Sequence, residues 1–363
     1  MDAKGNGSVV SLTLDDYLRK RLKPVEGAIP HLPGIEMYGN SIPATNADGD
    51  LFEYINFQQR YNIDARIERA LNLSKKFLEP IEESSAPKNL VDVHLQWLKS
   101  RQGYTPSDGV NYRKAKSSEQ LRIAENLHDL YTTAGVLLVD AQGHGSIAAK
   151  IASTVHDTFH TAMLRELDLN GKTTAEVFEI INLRLAQSVT ARNALGFGTE
   201  SSREIATMVY GEVRPDGRFR FVNFGHPPPL VFSAEYGKFV EIGRASIVQF
   251  PSLGIEIPED HPDRNRYVSI MLRPSQISSI DLDEIALMNR GDIIFLYTDG
   301  VYDGDDEFDR QKIEEIIEKN KQKPVKEICD AILNYALVKD DHLARIGESD
   351  RIDDKTVFLI KRG

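Results

Sequence analysis

GVLLVDAQGHGSIAAK, Gly135–Lys150, joins an apolar run to an alanine-rich segment through an aspartate and a glycine-flanked histidine. The run GVLLVD has the composition of a buried strand, and SIAAKIASTVHDTFHTAML has the spacing of a long amphipathic helix. A carboxylate at the end of a buried strand is costly unless something compensates it. Asp140 therefore either caps the following turn or holds a cation.

Outward from this stretch, TTAEVFEIINLRLAQSV predicts a second long helix. EIATMVYGEV and RFRFVNF flank Arg214-Pro215-Asp216-Gly217, the pattern of a β-hairpin. Further strands are expected at LVFS, KFVEI, YVSIML, DIIFLYTDG and TVFLIKR, with one helical stretch, DRQKIEEIIEKNKQKPVKEICDAILNYAL, between the last two. Upstream, IEMYGNSI and LFEYINF read as two strands joined by the turn-forming PATNADGD. Residues 58–133 change to helical periodicity in NIDARIERALNLSKKFLEPI, NLVDVHLQWLKSR and SSEQLRIAENLHDLYTTA. Residues 1–33 read as a helical lead ending in the proline-containing VEGAIPHLPG. Strands and helices occur without a βαβ alternation, which predicts α+β layers rather than a doubly wound parallel sheet.

The bulk composition excludes several classes. The 363 residues carry 44 basic and 55 acidic side chains, a net charge of −11, which argues against general affinity for nucleic acid or an anionic membrane. One cysteine, Cys329, permits no intramolecular disulfide and no cysteine-based zinc site, and its helical context reads as a core thiol. The N-terminus lacks the apolar core of a signal peptide, and no apolar run reaches membrane-spanning length, so a cytoplasmic protein is expected.

Four aspartates share one context, at a strand end or start beside a glycine or a second acid: Asp50, Asp140, Asp299 and Asp353. Any one alone reads as a turn aspartate. Several carboxylates converging without a partner would repel and raise one another's pKa. Divalent cations resolve that conflict, and all-oxygen ligation suits Mg²⁺ or Mn²⁺ better than zinc.

The motifs around these residues resemble those of bacterial PPM (PP2C-like) serine/threonine phosphatases of the SpoIIE/RsbU type. IPATNADGDLFEY is similar to P-A-x-x-x-G-G-D-[FW]-Y-D, and VDAQGHGSIAA to D-V-M-G-H-G-x-x-A-A. ATMVYGEVRPDGRFRFVNFGHPPPLVF resembles the hairpin ending in N-A-G-H-x-P-P-L, and PSLGI stands for P-L-G-I. RGDIIFLYTDGVYD and IDDKTVFLIKR resemble G-D-x-L-x-L-Y-T-D-G-[LV]-x-[DE] and D-D-x-T-x-[LV]. The resemblance runs from about Gly34 to the C-terminus, excluding a helical insertion at 58–133. It implies a phosphatase domain over 34–363, after the 1–33 lead, built as an antiparallel β-sandwich flanked by helices. It also implies two Mn²⁺ or Mg²⁺ ions held by Asp50, Asp140, Asp299 and Asp353, with the Ala141 carbonyl as a further ligand. A metal-activated water would attack phosphoserine or phosphothreonine of a regulatory protein, which the family suggests is an anti-anti-sigma (STAS-type) domain. A pseudophosphatase acting as a partner-binding module is the alternative.

Departures from the family pattern are Asp48 for glycine, Glu53 for aspartate, Ala141-Gln142 for Val-Met, and the insertion, whose amphipathic segments offer a homodimer surface. Asp354 is an alternative to Asp353 as the ligand. His144 and His226 read as structural or supporting groups. His156 and His160 have the i, i+4 spacing of a zincin helix, but aspartate replaces its glutamate base, so they are read as an ordinary helix face. No phosphate-cradling glycine motif is present.

Overall fold

The alternation of apolar and polar residues along the strands is realised in two stacked sheets with helices on both outer faces. A computed structural model describes residues 29–45, 49–72, 118–143, 145–194, 204–240, 242, 249–255, 283–287, 289–304 and 306–363. The N-terminal lead through residue 28, NLVDVHLQWLKSR, YVSIML and His144 lie outside these residues.

Strands β1 (Ile35–Ile42) and β2 (Asp50–Asn56) are followed by helices α1 (Phe57–Tyr61), α2 (Ile63–Asn72) and α3 (Ser118–Asp129). Strand β3 (Ala134–Ala141) leads into the long helices α4 (Gly145–Asn170) and α5 (Ala175–Ala194). Strands β4 (Ala206–Val213), β5 (Arg218–Phe224), β6 (Leu230–Ser233), β7 (Lys238–Val240), β8 (Gln249–Phe250), β9 (Asp283–Ala286) and β10 (Ile293–Tyr297) follow. Helices α6 (Glu307–Asn320) and α7 (Val325–Ile346) precede the last strand, β11 (Lys355–Arg362).

One sheet has the order β1-β11-β10-β6-β7, the other β2-β3-β4-β5-β8, with β9 also paired to β5. Among the described residues every strand pairing is antiparallel except the short β5·β8 contact. The expected α+β architecture, an antiparallel β-sandwich flanked by helices, is therefore what the chain adopts.

Three apolar clusters make the layers. Met37, Phe52, Tyr54, Val136, Val209, Ile294 and Phe358 fill the space between the sheets. Leu51, Ile55, Leu137 and Val139 face the other way, against Ile151, Val155 and Phe159 of α4 and Ile181 of α5. Phe295, Tyr297 and Leu359 pack against Ile313 of α6 and Ile328 and Cys329 of α7. The period of two along a strand explains this division: odd positions of β2 and β3 meet helices, and even positions meet the opposite sheet.

The single helical stretch expected over 309–337 is two helices. Pro324 sits at the N-cap of α7 and disfavours helical geometry at the residue before it, so the chain breaks between Asn320 and Val325. Cys329 is buried, as its helical spacing implied. No helix among the described residues is long and apolar enough to cross a membrane.

Candidate active site

Asp50 begins β2 and Asp140 is the penultimate residue of the neighbouring β3, and the β2·β3 register sets them directly opposite each other. The same ladder continues to Asn56 opposite Ala134, so the excursion between β2 and β3 returns the chain to the edge from which it left. Both aspartates fall at even positions, hence on the face turned to the other sheet. Cβ atoms of residues directly opposite across an antiparallel pair lie about 4.5–5.5 Å apart, close enough for like charges to destabilise the pair.

Asp50 is buried, and one carboxylate oxygen accepts hydroxyl hydrogen bonds from Thr298 (2.7 Å) and Thr356 (2.8 Å) on the opposite sheet. Thr298 and Thr356 are joined in turn by backbone hydrogen bonding, with Thr298 N–H donating to the Thr356 carbonyl at 3.1 Å. Asp299 therefore emerges beside Asp50, at the same end of the sandwich. Its carboxyl is accessible to solvent yet crowded by protein; burial first, and the Asp353 charge second, raise its pKa. Asp140 is half-buried, and Asp353 is exposed. Ala141 is buried, its N–H donating to the Gly49 carbonyl at 3.2 Å.

Asp353 and Asp354 have different surroundings. Asp354 is buried, and its two oxygens accept N–H bonds from Ala44 and Gly49, each at 2.7 Å. It thus closes the β1–β2 connection. Asp353 remains at the surface, where one of its oxygens accepts the Asp354 N–H (2.8 Å). The buried Lys355 ammonium donates to the Asp353 carbonyl (2.7 Å) and pairs with Asp340 of α7 (2.6 Å).

Two glycines let these segments meet. A Cβ on Gly300 would lie 2.1 Å from the Asp354 carbonyl oxygen, and one on Gly49 would lie 2.8 Å from the Ala148 methyl. Any side chain at either position would force the loops apart.

His226 supports the site from within. It is buried, with Nε2 3.0 Å from the Tyr297 carbonyl and Nδ1 2.7 Å from the Thr207 hydroxyl. A carbonyl only accepts, so Nε2 carries the proton and Nδ1 accepts from Thr207. Thr207 lies opposite Asp140 in the β3·β4 ladder, and Tyr297 is two residues before Asp299. Burial pushes the imidazole down to about 3, so it stays neutral. A structural or supporting role was the expectation, and this geometry provides it.

The other face of β2 carries a second cluster. Glu53 points toward α4, where His160 Nε2 lies 2.6 Å and His156 Nε2 3.2 Å from the same carboxylate oxygen. Burial raises the Glu53 carboxyl, but hydrogen bonds and charge from the two histidines outweigh it and hold it at about 2. Burial lowers the His160 pKa, and Tyr61 lies 2.6 Å from its Nδ1. The two histidines are thus not merely a helix face: helical spacing foretold that they share a side, but not that Glu53 would meet them. Thr298, Thr356 and Lys355 were likewise missed, although each lies within a quoted aspartate motif.

The family profile described as Stage II sporulation protein E (SpoIIE) matches residues 132–271 and 278–363. Among solved structures, the RsbU and RsbW domains of Rv1364c from Mycobacterium tuberculosis align at 16% identity and TM-score 0.45, over 92% of this chain and 61% of that one. The PP2C phosphatase domain and regulatory fragment of SpoIIE from Bacillus subtilis align at 15% identity and TM-score 0.42, over 63% of this chain and 54% of that one. The SiaA-PP2C domain of Pseudomonas aeruginosa aligns at 12% identity and TM-score 0.45, over 90% and 85%. This chain therefore spans less than two thirds of the length of the first two. No curated protein matches it.

Proposed function

This chain belongs to the SpoIIE family, and from that premise we propose that it is a divalent-metal-dependent protein phosphatase acting on phosphoserine or phosphothreonine. The observation that carries the reading is the register of Asp50 against Asp140, with Asp299 and Asp353 at the same end of the sandwich. Opposed carboxylates and an acid whose pKa is raised by burial and then by a neighbouring carboxylate are what a site built for cations looks like before charge neutralisation.

Asp50, Asp140, Asp299 and Asp353, with the Ala141 carbonyl, would hold Mn²⁺ or Mg²⁺; the donor set is all oxygen and fits those ions. When bound, such ions lower the pKa of water and offset charge developing at phosphorus. The chain's own contribution is orientation. Thr298 and Thr356 fix the Asp50 carboxylate, and His226 ties the strand opposite Asp140 to the strand leading to Asp299. Asp354 acts through the loop it closes, which leaves Asp353 as the ligand. The exposure of Asp299 and Asp353 keeps the edge open to a phosphorylated loop of a folded partner, for which a STAS-type regulator is our proposed substrate.

Hydrolysis of p-nitrophenyl phosphate and a phosphoserine peptide, with and without Mn²⁺, tests the reading. Mn²⁺-dependent turnover that Asp140→Asn abolishes supports it. Demonstrated Mn²⁺ binding without turnover of either substrate, or of a phosphorylated STAS domain, would replace it with a partner-binding pseudophosphatase.

A further inference from the structure

We propose that Glu53, His156 and His160 form a separate binding site for a zinc-class transition metal on the helix-facing side of β2. Three ligand atoms, the Glu53 carboxylate oxygen and Nε2 of each histidine, lie within 4.8 Å of one another. They come from two rigid elements: His156 and His160 are one turn apart on α4, and Glu53 is held in the β2·β3 ladder. Their side chains are 15%, 14% and 11% exposed, so the cluster is largely desolvated yet keeps a path to solvent.

The outer shell points the same way. A metal-bound imidazole is oriented by an oxygen partner at its distal nitrogen. Here each Nδ1 has one: the Tyr61 hydroxyl at 2.6 Å for His160, and an Asp157 carboxylate oxygen at 3.3 Å for His156. Both Nε2 atoms are thereby aimed at one carboxylate oxygen. With metal on Nε2, the neutral imidazole would carry its proton on Nδ1 and donate it to the Tyr61 oxygen. Two imidazoles and one carboxylate suit Zn²⁺ and its neighbours, with a fourth position open, whereas Mg²⁺ prefers oxygen alone.

Zinc bonds of about 2.0–2.1 Å in a tetrahedron set ligand atoms roughly 3.3 Å apart. The 3.2 Å edge between Glu53 and His156 already fits, and the 2.6 Å edge to His160 opens by a small rotation of the Glu53 carboxylate. Arg60, 3.5 Å from the other Glu53 oxygen, disposes Glu53 to bind through one oxygen only. The site is distinct from the carboxylate edge. Glu53 is three residues, about 10 Å of strand, from Asp50 and on the opposite face. A metal there would pin β2, α1 and α4 together, and α4 starts just after the Asp140 loop.

The test uses the full chain, stripped with chelator and then kept in excess Mg²⁺ so that the oxygen-donor edge is occupied. Calorimetric titration with Zn²⁺ and the visible spectrum with Co²⁺ are read for wild type, His156→Gln/His160→Gln and Glu53→Gln. The expected result is one Zn²⁺ bound by wild type and a Co²⁺ spectrum of low-coordinate type. Each variant should weaken binding by roughly a hundredfold or more, and zinc should raise Tm in wild type alone. Equal Zn²⁺ uptake by wild type and a folded Glu53→Gln would overturn the proposal, as would a wild-type chain that binds no Zn²⁺. Glu53→Gln keeps the side-chain shape, so it decides the matter if the double histidine variant does not fold. Phosphatase activity enters none of these readouts.

Discussion

Strand β2 carries two acids three residues apart, Asp50 and Glu53, whose surroundings have little in common. Asp50 faces the opposite sheet and accepts neutral hydroxyl donors from Thr298 and Thr356, whose positions in the chain are 248 and 306 residues away. Glu53 faces α4 and is gripped by two imidazoles that hold its carboxyl at about 2. Three residues is an odd step along a strand, so the two acids lie on opposite faces and belong to different layers. Side-chain parity, rather than proximity in the chain, decides the chemistry each can enter. The comparison also separates two kinds of charge management. The Asp50 side concentrates negative charge by setting Asp140 opposite it, whereas the Glu53 side pairs its charge within the protein.

Several measurements can break or sharpen that contrast. Asp140→Asn should cut phosphatase turnover by about a hundredfold or more, as loss of a charged group aimed at the reacting centre does, with far-UV circular dichroism unchanged. In metal-free buffer the same variant should unfold at a higher temperature than wild type, because relieving a like-charge cross-strand pair stabilises by up to about 1 kcal/mol. A rise in activity, or a fall in metal-free stability, would contradict the account of the Asp50 side.

Thr298→Val and Thr356→Val each remove a hydroxyl donor from a buried carboxylate while keeping side-chain shape. Each should cost about 1.5–3 kcal/mol in denaturant unfolding, the range for a hydrogen bond to a charged group. Unchanged midpoints would mean that the two threonines do not hold Asp50.

His226 offers a pH test of the scaffold behind the carboxylate edge. Its folded pKa, about 3, is depressed below the ordinary 6.5 by burial, so between these values the unfolded chain takes up a proton that the folded chain does not. The stabilising contribution is complete above pH 6.5 and is lost as pH falls toward 3, with a slope approaching about 1.4 kcal/mol per pH unit. His226→Gln should flatten that part of the profile; an identical slope would refute the neutral, buried assignment.

The smallest effect is expected at Tyr61→Phe. Loss of the hydroxyl partner of His160 Nδ1 should destabilise the chain by about 1 kcal/mol and leave phosphatase turnover within a factor of two or so. Loss of turnover would mean that the two faces of β2 are coupled.

Much of this was legible in the sequence. Ile35–Ile42 was expected as a strand and forms one, the Arg214–Gly217 turn joins β4 to β5, and the apolar run GVLLV is buried in β3, between β2 and β4. These are local signals: alternation, turn chemistry and helical spacing report directly on backbone geometry. The break at Pro324 was also written there, but apolar spacing continuing across it masked the stop. Motif order named Asp50, Asp140, Asp299 and Asp353, and folding carries all four to one end of the sandwich.

What the sequence determined by itself was most of the strands and helices and the acids at their ends, though not β8, β9 or the division of α6 from α7, because strand period, helix spacing and turn residues act over a few positions. The tertiary structure alone decided the partners. Asp353 and Asp354 are indistinguishable as neighbours in a motif; one becomes a buried anchor because the Ala44 and Gly49 amides, some 300 residues away, arrive at its oxygens. Glu53 meets His156 and His160 only because β2 is covered by α4. Hydrogen bonds and charge pairs act over a few ångströms, and which groups come within that reach is settled by how the layers pack.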